Sequence, residues 1–265
     1  MEGIKIMKYF VVDAFAEKVF EGNPAGVCIL DDWISEDTMQ KIAIENNLSE
    51  TAFAVKEREG YRLRWFTPGG EIDLCGHATL ATAYVIANYY ENNVEEIKFQ
   101  TISGELVVLK KDELYEMDFP SRMPEAFPLT DQMVEALGVK PIETYLGRDL
   151  MFVLETEEDV QNAAPDFSKL EKLPDGLGVS ITAKSEKYDF VSRCFFPKLN
   201  VNEDPVCGSA HCNFIPYWSK RLGKDEMVAR QLSNRGGTLY CKSVGDRVKI
   251  GGSAVLYSIA DLQIN

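Results

Sequence analysis

The chain carries one device twice, and that repeat constrains its fold more than any other feature. Arg64-Trp-Phe-Thr-Pro68 is matched by Arg193-Cys-Phe-Phe-Pro197, and Glu71-Ile-Asp-Leu-Cys-Gly-His-Ala78 by Glu203-Asp-Pro-Val-Cys-Gly-Ser-Ala210. Both copies read R-x-F-x-P, a short linker, then E-x-x-x-C-G-x-A, with the linker three residues longer in the second copy. Several identities in one order, almost half a chain apart, predict an internal duplication and therefore two similar halves. A length of 265 residues, 45% of them hydrophobic, supplies core for one large domain or two ordinary ones.

The first half reads as strands around one helix. Tyr9 to Phe15 is aromatic and β-branched, and predicts a strand that pairs with a second at Gly26 to Leu30 across a turn at Glu21-Gly22-Asn23-Pro24. From Ser35 to Asn46, Met39, Ile42 and Ala43 fall at helical spacing, with Ser35 as N-cap and two acidic residues in the first turn. Short strands follow at Thr51–Val55, Tyr61–Phe66, Ile97–Thr101, Glu105–Leu109 and Leu114–Phe119. His77 to Tyr90 carries no charge and is apolar on every face, so it predicts a helix buried among those strands, with small residues at 78, 81, 83 and 87 allowing close approach.

In the second half the equivalent helix runs from Gly208 to about Leu222, kinked at Pro216, whose ring removes a bond to Cys212. Strands are expected near Gly237–Lys242, Arg247–Gly251 and Ala254–Ile259. The last of these either completes the second sheet or returns to the first domain. The predicted fold class is α+β: two pseudo-symmetric domains, 1–122 and 123–265, each a curled, mostly antiparallel sheet around a central helix. The boundary falls between Phe119 and Leu137, where PSRMPEAFP supplies three prolines and little periodicity.

Composition excludes several functions. The net charge of −14, without a basic run, argues against nucleic acid as a partner. No stretch approaches the ~18 apolar residues of a membrane span, and MEGIKIMKYF lacks the apolar core of a signal peptide, so no membrane association and a cytoplasmic location are expected. Six cysteines, at 28, 75, 194, 207, 212 and 241, are too sparse for a disulfide framework and are expected to be reduced. Cys28, Cys194, Cys241, His211 and Cys212 are expected in the core, as are Phe66 and Phe195.

The Cys-Gly pairs carry the functional signal. A helix start presents unbonded N–H groups and about half a positive charge, which suits an anion. Gly76 and Gly208, lacking Cβ, would let a carboxylate or enolate oxygen reach the amides around 76–78 and 208–210. If the halves face one another, two such helix starts meet across one cleft. A zinc site from Cys75, His77, Cys207 and His211 or Cys212 has suitable donor types. Neighbours two apart on a helix point to different sides, however, so no metal is expected.

GNPAGV at 22–27, NLSETAF at 47–53, DLCGHATLA at 73–81 and EDPVCGSAHC at 203–212 together resemble the PhzF (phenazine biosynthesis) family across essentially the whole chain. The resemblance implies the fold of the related diaminopimelate epimerase, with the active site in the cleft between two domains. It implies an isomerase that needs neither metal nor organic cofactor, acting on a small anionic metabolite, and a homodimer. It places Glu50 as the proton-shuttling general acid/base. His77 would bind substrate or relay a proton, Asp204 would orient substrate or His77, and Ser209 would hold the carboxylate with the Gly76 and Gly208 amides; Asn23 joins the substrate-binding set.

One departure from the family's pattern opens an alternative. The phenazine enzymes need no cysteine pair, whereas diaminopimelate epimerase and its racemase relatives use two, each before a glycine at a helix start, as Cys75 and Cys207 stand here. A helix N-terminus lowers a thiol pKa, so one cysteine could serve as thiolate base and the other as thiol acid in an amino-acid racemase or epimerase. A non-catalytic small-molecule binding protein is the remaining reading.

Overall fold

The computed structural model describes residues 5–264. The aromatic and β-branched opening run forms β1 (Lys5–Ala14), antiparallel to β2 (Asn23–Leu30) with Phe10 opposite Val27. The turn between them ends earlier than its Gly-Asn-Pro signal suggests. Pro24 already lies in the strand, one residue before β2 gains its second neighbour at Ala25, so its missing N–H interrupts no ladder there. Gly22 carries the turn's left-handed conformation at φ +67°, and a Cβ at that position would stand 2.1 Å from the Ala14 carbonyl oxygen.

Helix α1 (Glu36–Asn46) begins as its sequence predicts: Ser35 Oγ accepts from the Thr38 N–H at 3.1 Å, and Met39, Ile42 and Ala43 are buried. Asn47, in left-handed conformation at φ 48°, closes it. β3 (Glu50–Glu57) then runs parallel to β2, and β4 (Gly60–Thr67) antiparallel to β3. β5 (Gly70–Ile72) folds back on β4. Helix α2 (Gly76–Val85) continues into a π-helical turn, Ile86–Tyr90, and crosses to β6 (Glu96–Thr101), which is parallel to β4. β7 (Gly104–Lys111) and β8 (Leu114–Pro120) complete the run in antiparallel pairing.

α2 packs against β1, β2 and β3 with every residue but Gly76 and Tyr84 buried. Its two threonines tolerate that burial because their hydroxyls bond back within the helix, Thr79 to the Cys75 carbonyl at 2.6 Å and Thr82 to that of Ala78 at 2.7 Å. Away from His77 and Tyr84 the helix is therefore apolar to its neighbours.

The second unit repeats this order. After β9 (Glu125–Ala126) and α3 (Asp131–Leu137) come β10 (Glu143–Leu146) and β11 (Leu150–Val153). α4 (Glu157–Asn162) and α5 (Phe167–Leu170) cross to β12 (Val179–Lys184), parallel to β11 as β3 is to β2. β13 (Phe190–Phe196) and its hairpin partner β14 (Val201–Asp204) stand where β4 and β5 stand. The longer linker of this copy is a 3₁₀ turn, Pro197–Leu199, closed by left-handed Asn200. α6 (Gly208–Leu222) then crosses to β15 (Glu226–Gln231), parallel to β13 as β6 is to β4. β16 (Gly237–Val244) and β17 (Arg247–Gly252) follow. The sequence repeat is thus a repeat of topology, with parallel crossovers inside sheets that are otherwise antiparallel.

α6 runs through Pro216. The proline has no N–H for the Cys212 carbonyl, and the Arg122 N–H donates to that oxygen instead at 2.9 Å. The stretch read as a featureless boundary contains α3, a helix of seven residues, too short to show a period but capped at both ends by Thr130 and left-handed Gly138. The last strand, β18 (Ala254–Ile264), pairs with β1 from Ala14↔Ala254 to Lys5↔Ile264 and does not complete the second sheet. Accordingly the compact units comprise residues through Asp118 with those from Gly251 onward, and Phe119–Ile250. Among the described residues no helix is long and apolar enough to cross a membrane, and all six cysteines are free and buried.

Candidate active site

In the first unit four of the expected residues meet. Asn47 ends α1 and β3 begins three residues later, so Glu50 stands at the strand's first position, beside Ala25 of β2. Asn23 opens β2. Cys75 is the N-cap of α2, with its backbone extended at φ −144°, ψ 108°, and His77 lies in the first turn. Because Cys75 is not helical, the spacing argument that set it and His77 on different sides does not apply. Cys75 Sγ lies 3.5 Å from His77 Nδ1.

The imidazole stands between two groups. Asn23 Nδ2 lies 3.3 Å from Nδ1, on the same side of the ring as the Cys75 thiol. Nε2 lies 3.0 Å from Glu50 Oε2. That is ion-pair range, but the approach is off the line a hydrogen bond needs, and both atoms are buried without a hydrogen-bond partner. The donors of Glu50, Cys75 and His77 all lie within 4.8 Å of one another. Their types would suit a metal, yet the two short contacts use opposite nitrogens of one ring. The arrangement fits a proton relay better than a shared ion.

Burial pushes the Cys75 thiol up, and the nearby Glu50 carboxylate adds to it, against a smaller opposing effect of His77. The helix start was expected to favour the thiolate; here desolvation outweighs the dipole, and the thiol form is favoured. For His77, burial works against the charged ring, but Cys75 and Glu50 outweigh it and hold the imidazole well above its usual range.

The second unit assembles a different set. Asp204 ends β14, with its backbone carbonyl accepting from Gln231 Nε2 at 2.6 Å. Gln231 Oε1 in turn accepts the Cys207 N–H at 2.9 Å, which fixes the entry to α6. Cys207 is the N-cap, and its Sγ lies 3.3 Å from Ser209 Oγ. A Cβ on Gly208 would meet nothing within 4 Å, so the helix start is open there. Arg148, which sequence reasoning missed, donates from Nη2 to Ser209 Oγ at 3.0 Å. Its only sequence signal is Gly147-Arg148-Asp149 in the turn between β10 and β11, with nothing local to indicate that the turn lies over α6.

His211 is a core residue, as expected. Its Nδ1 lies 2.7 Å from the Cys207 carbonyl, and its ring packs on Phe190 and Phe214. The matching carbonyl of the first unit, that of Cys75, is taken by Thr79. Burial pushes the His211 pKa down to about 4. Between the ordinary value near 6.5 and that lowered one, the unfolded chain binds a proton that the folded chain refuses. Stability should therefore fall as pH drops through this window, by about 3 kcal/mol in full. Urea unfolding of wild type and His211→Gln from pH 7 to 4 checks this: the difference between them should shrink with acidity, and parallel curves would refute it.

Two repeated α+β units, each using a buried helix as a parallel crossover, are the architecture of the epimerase-like isomerases. A hydroxyproline epimerase from Agrobacterium vitis shares the fold at a TM-score of 0.59, over 98% of this chain and 93% of that one, at 11% identity, a likeness of fold alone. The chain belongs to the PhzC-PhzF family, phenazine biosynthesis-like protein, whose model matches residues 12–259. A PhzF-family phenazine biosynthesis protein from Enterococcus faecalis has a crystal structure with TM-score 0.97 and 56% identity, covering 98% of this chain and all (100%) of that one. An uncharacterized isomerase of Pseudomonas aeruginosa is 48% identical over 255 residues, 96% of this chain and 98% of its own.

Proposed function

We propose that the protein is an isomerase that moves a proton on a small carboxylate-bearing substrate without metal or organic cofactor, with Glu50 as general acid/base. The observation that carries this reading is the 3.0 Å contact of the Glu50 carboxylate with His77 Nε2. A carboxylate can take a proton from carbon and return it elsewhere, and an imidazole beside it stabilises whichever charge state the step leaves. Asn23 fixes the ring, and in each unit the helix start, at Gly76 in one and at Gly208–Ser209 in the other, offers backbone amides to an anion. Asp204, at the entry to α6, orients the substrate.

A second reading, a racemase using Cys75 and Cys207, has in its favour that both are N-cap residues before a glycine with no side-chain capping bond. The raised Cys75 pKa counts against it as the resting base. The test is label uptake from deuterated water into a panel of amino acids and cyclic dienoic acids. Exchange lost in Glu50→Gln but kept in Cys75→Ala and Cys207→Ala supports the glutamate mechanism. Exchange that survives Glu50→Gln and disappears with either cysteine overturns it in favour of the racemase.

A further inference from the structure

We propose that Cys75, His77 and Glu50 form a thiol acyl-transfer triad, and that the first unit hydrolyses small acyl esters through an S-acyl intermediate on Cys75. This activity goes beyond the isomerase reading and does not depend on which residue moves the proton there.

A nucleophilic thiol needs a base at its sulfur and a third group that holds the base. Cys75 Sγ lies 3.5 Å from His77 Nδ1, and Glu50 Oε2 stands 3.0 Å from Nε2, so the ring has the thiol at one nitrogen and the carboxylate at the other. As the N-cap of α2, Cys75 keeps its thiol outside the helical geometry, and its side chain makes no capping bond that would tie up the sulfur. Its carbonyl accepts from the Thr79 N–H at 3.1 Å and the Thr79 hydroxyl at 2.6 Å, which fixes the backbone that carries the sulfur. The first-turn amides beside it, from Gly76 onward, have no partner within the helix and suit the oxyanion formed when a thiol attacks an ester carbonyl. The repeat supplies a contrast. At the same place in the second unit Cys207 Sγ meets Ser209 Oγ at 3.3 Å, and a hydroxyl cannot take the thiol proton.

In the acylation step the sulfur bonds to the acyl carbon as the thiol proton passes to Nδ1, and the carbon–oxygen bond breaks as His77 gives that proton to the leaving alkoxide. Water, with His77 again as base, then cleaves the S-acyl bond and restores the thiol, so that ester and water become carboxylic acid and alcohol. Glu50 is here a positioning residue, acting through the ring. Burial holds Cys75 as the thiol, so the imidazole must be neutral before attack. The titratable groups acting on His77 are Cys75, just before α2, and Glu50 of β3, while β2 faces it with the neutral amide of Asn23. Burial opposes the charged ring, but Cys75 and Glu50 outweigh it, so acylation should rise with pH through a value above the ordinary one of about 6.5. Cys75 is 6% exposed and His77 7%, which limits the acyl group to a few carbons.

The test incubates the full chain with p-nitrophenyl acetate and follows p-nitrophenolate release together with the site of acetylation by peptide mass spectrometry. Wild type should show a burst of release, with the acetyl group on Cys75 and not on Cys207, and p-nitrophenyl octanoate should give no burst. Cys75→Ala should abolish the burst, and His77→Gln should slow it by about a hundredfold or more. Glu50→Gln, which removes one of the groups that raise His77, should move the rising limb of the pH profile toward acid, a change that a merely structural role would not produce. Should a variant not fold, Cys75 and Cys207 of the wild type still give the comparison within one spectrum. The proposal is overturned if Cys75 carries no more acetyl than Cys207, if Cys75→Ala keeps the burst, or if His77→Gln is acetylated within twofold of the wild-type rate. Acetylation is read on sulfur and isomerisation as label uptake from deuterated water, so each can fail without the other.

Discussion

Glu50→Gln should lower solvent-proton exchange by about 10²–10⁴-fold, the range that a positioned general acid/base contributes. The substitution preserves the side chain's shape and its polar contact with His77 but removes the group that can accept a proton from carbon. Asn23→Ala and His77→Gln should cost less, because they loosen or neutralise the relay without removing its base. A stability readout separates this from misfolding. With the His77 pKa raised above its unfolded value, the His77–Glu50 contribution is fully present below the ordinary histidine pKa, about 6.5, and is lost as pH rises through the raised one. The unfolding free energy of wild type minus that of Glu50→Gln should therefore be largest on the acid side and decline with rising pH. An exchange rate within threefold of wild type would end the glutamate mechanism.

Arg193→Met should destabilise the fold by about 2–4 kcal/mol, and Arg64→Met by about 1 kcal/mol, although both occupy the same place in the repeat. Each arginine makes a two-pronged pair with the glutamate of its motif. Arg64 reaches Glu71 at 2.6 Å through both nitrogens, Arg193 reaches Glu203 at 2.7 and 3.0 Å, and each guanidinium lies 5.1 Å over the phenylalanine two residues on. The surroundings differ. Arg193 Nη1 also donates to the carbonyls of Val160, Gln161 and Ala163, at 3.3, 3.3 and 2.7 Å, which are the unpaired acceptors at the C-terminal end of α4. α1 needs no such help, because Asn47 closes it and Arg64 turns instead to exposed Glu36. Arg193 is the more buried, with its side chain 13% exposed against 23%. Its loss strands a glutamate and a helix end together. Urea midpoints for the two variants decide the matter, and equal costs would show that only the shared pair counts.

Much of this was legible in the chain itself, and the legible part is local. The repeat of R-x-F-x-P and E-x-x-x-C-G-x-A fixed two similar halves, because each copy places an arginine and a glutamate across one hairpin and a glycine at one helix start, all within about 15 residues. Ser35, Met39, Ile42 and Ala43 announced α1, because capping and helical periodicity are properties of neighbouring residues. The charge-free run after His77 announced a buried helix for the same reason.

Tertiary structure decided the rest. β18 joins β1 across nearly the whole chain, a pairing that the strand's own pattern cannot specify because a strand records its faces and not its partner. Cys75, His77 and Glu50 meet because an N-cap leaves the helical geometry and β3 begins beside β2; from sequence spacing alone the first two were placed apart. The Cys75 thiol is raised although it stands at a helix start, since desolvation is a property of everything packed around it. Arg148 lies 61 residues from Ser209, and only the folding of the β10–β11 turn over α6 brings its guanidinium to the helix start. The sequence by itself determined the elements and the kinds of groups at their ends; which of those groups touch, and in what dielectric, was settled by long-range packing, because contact and burial have no local code.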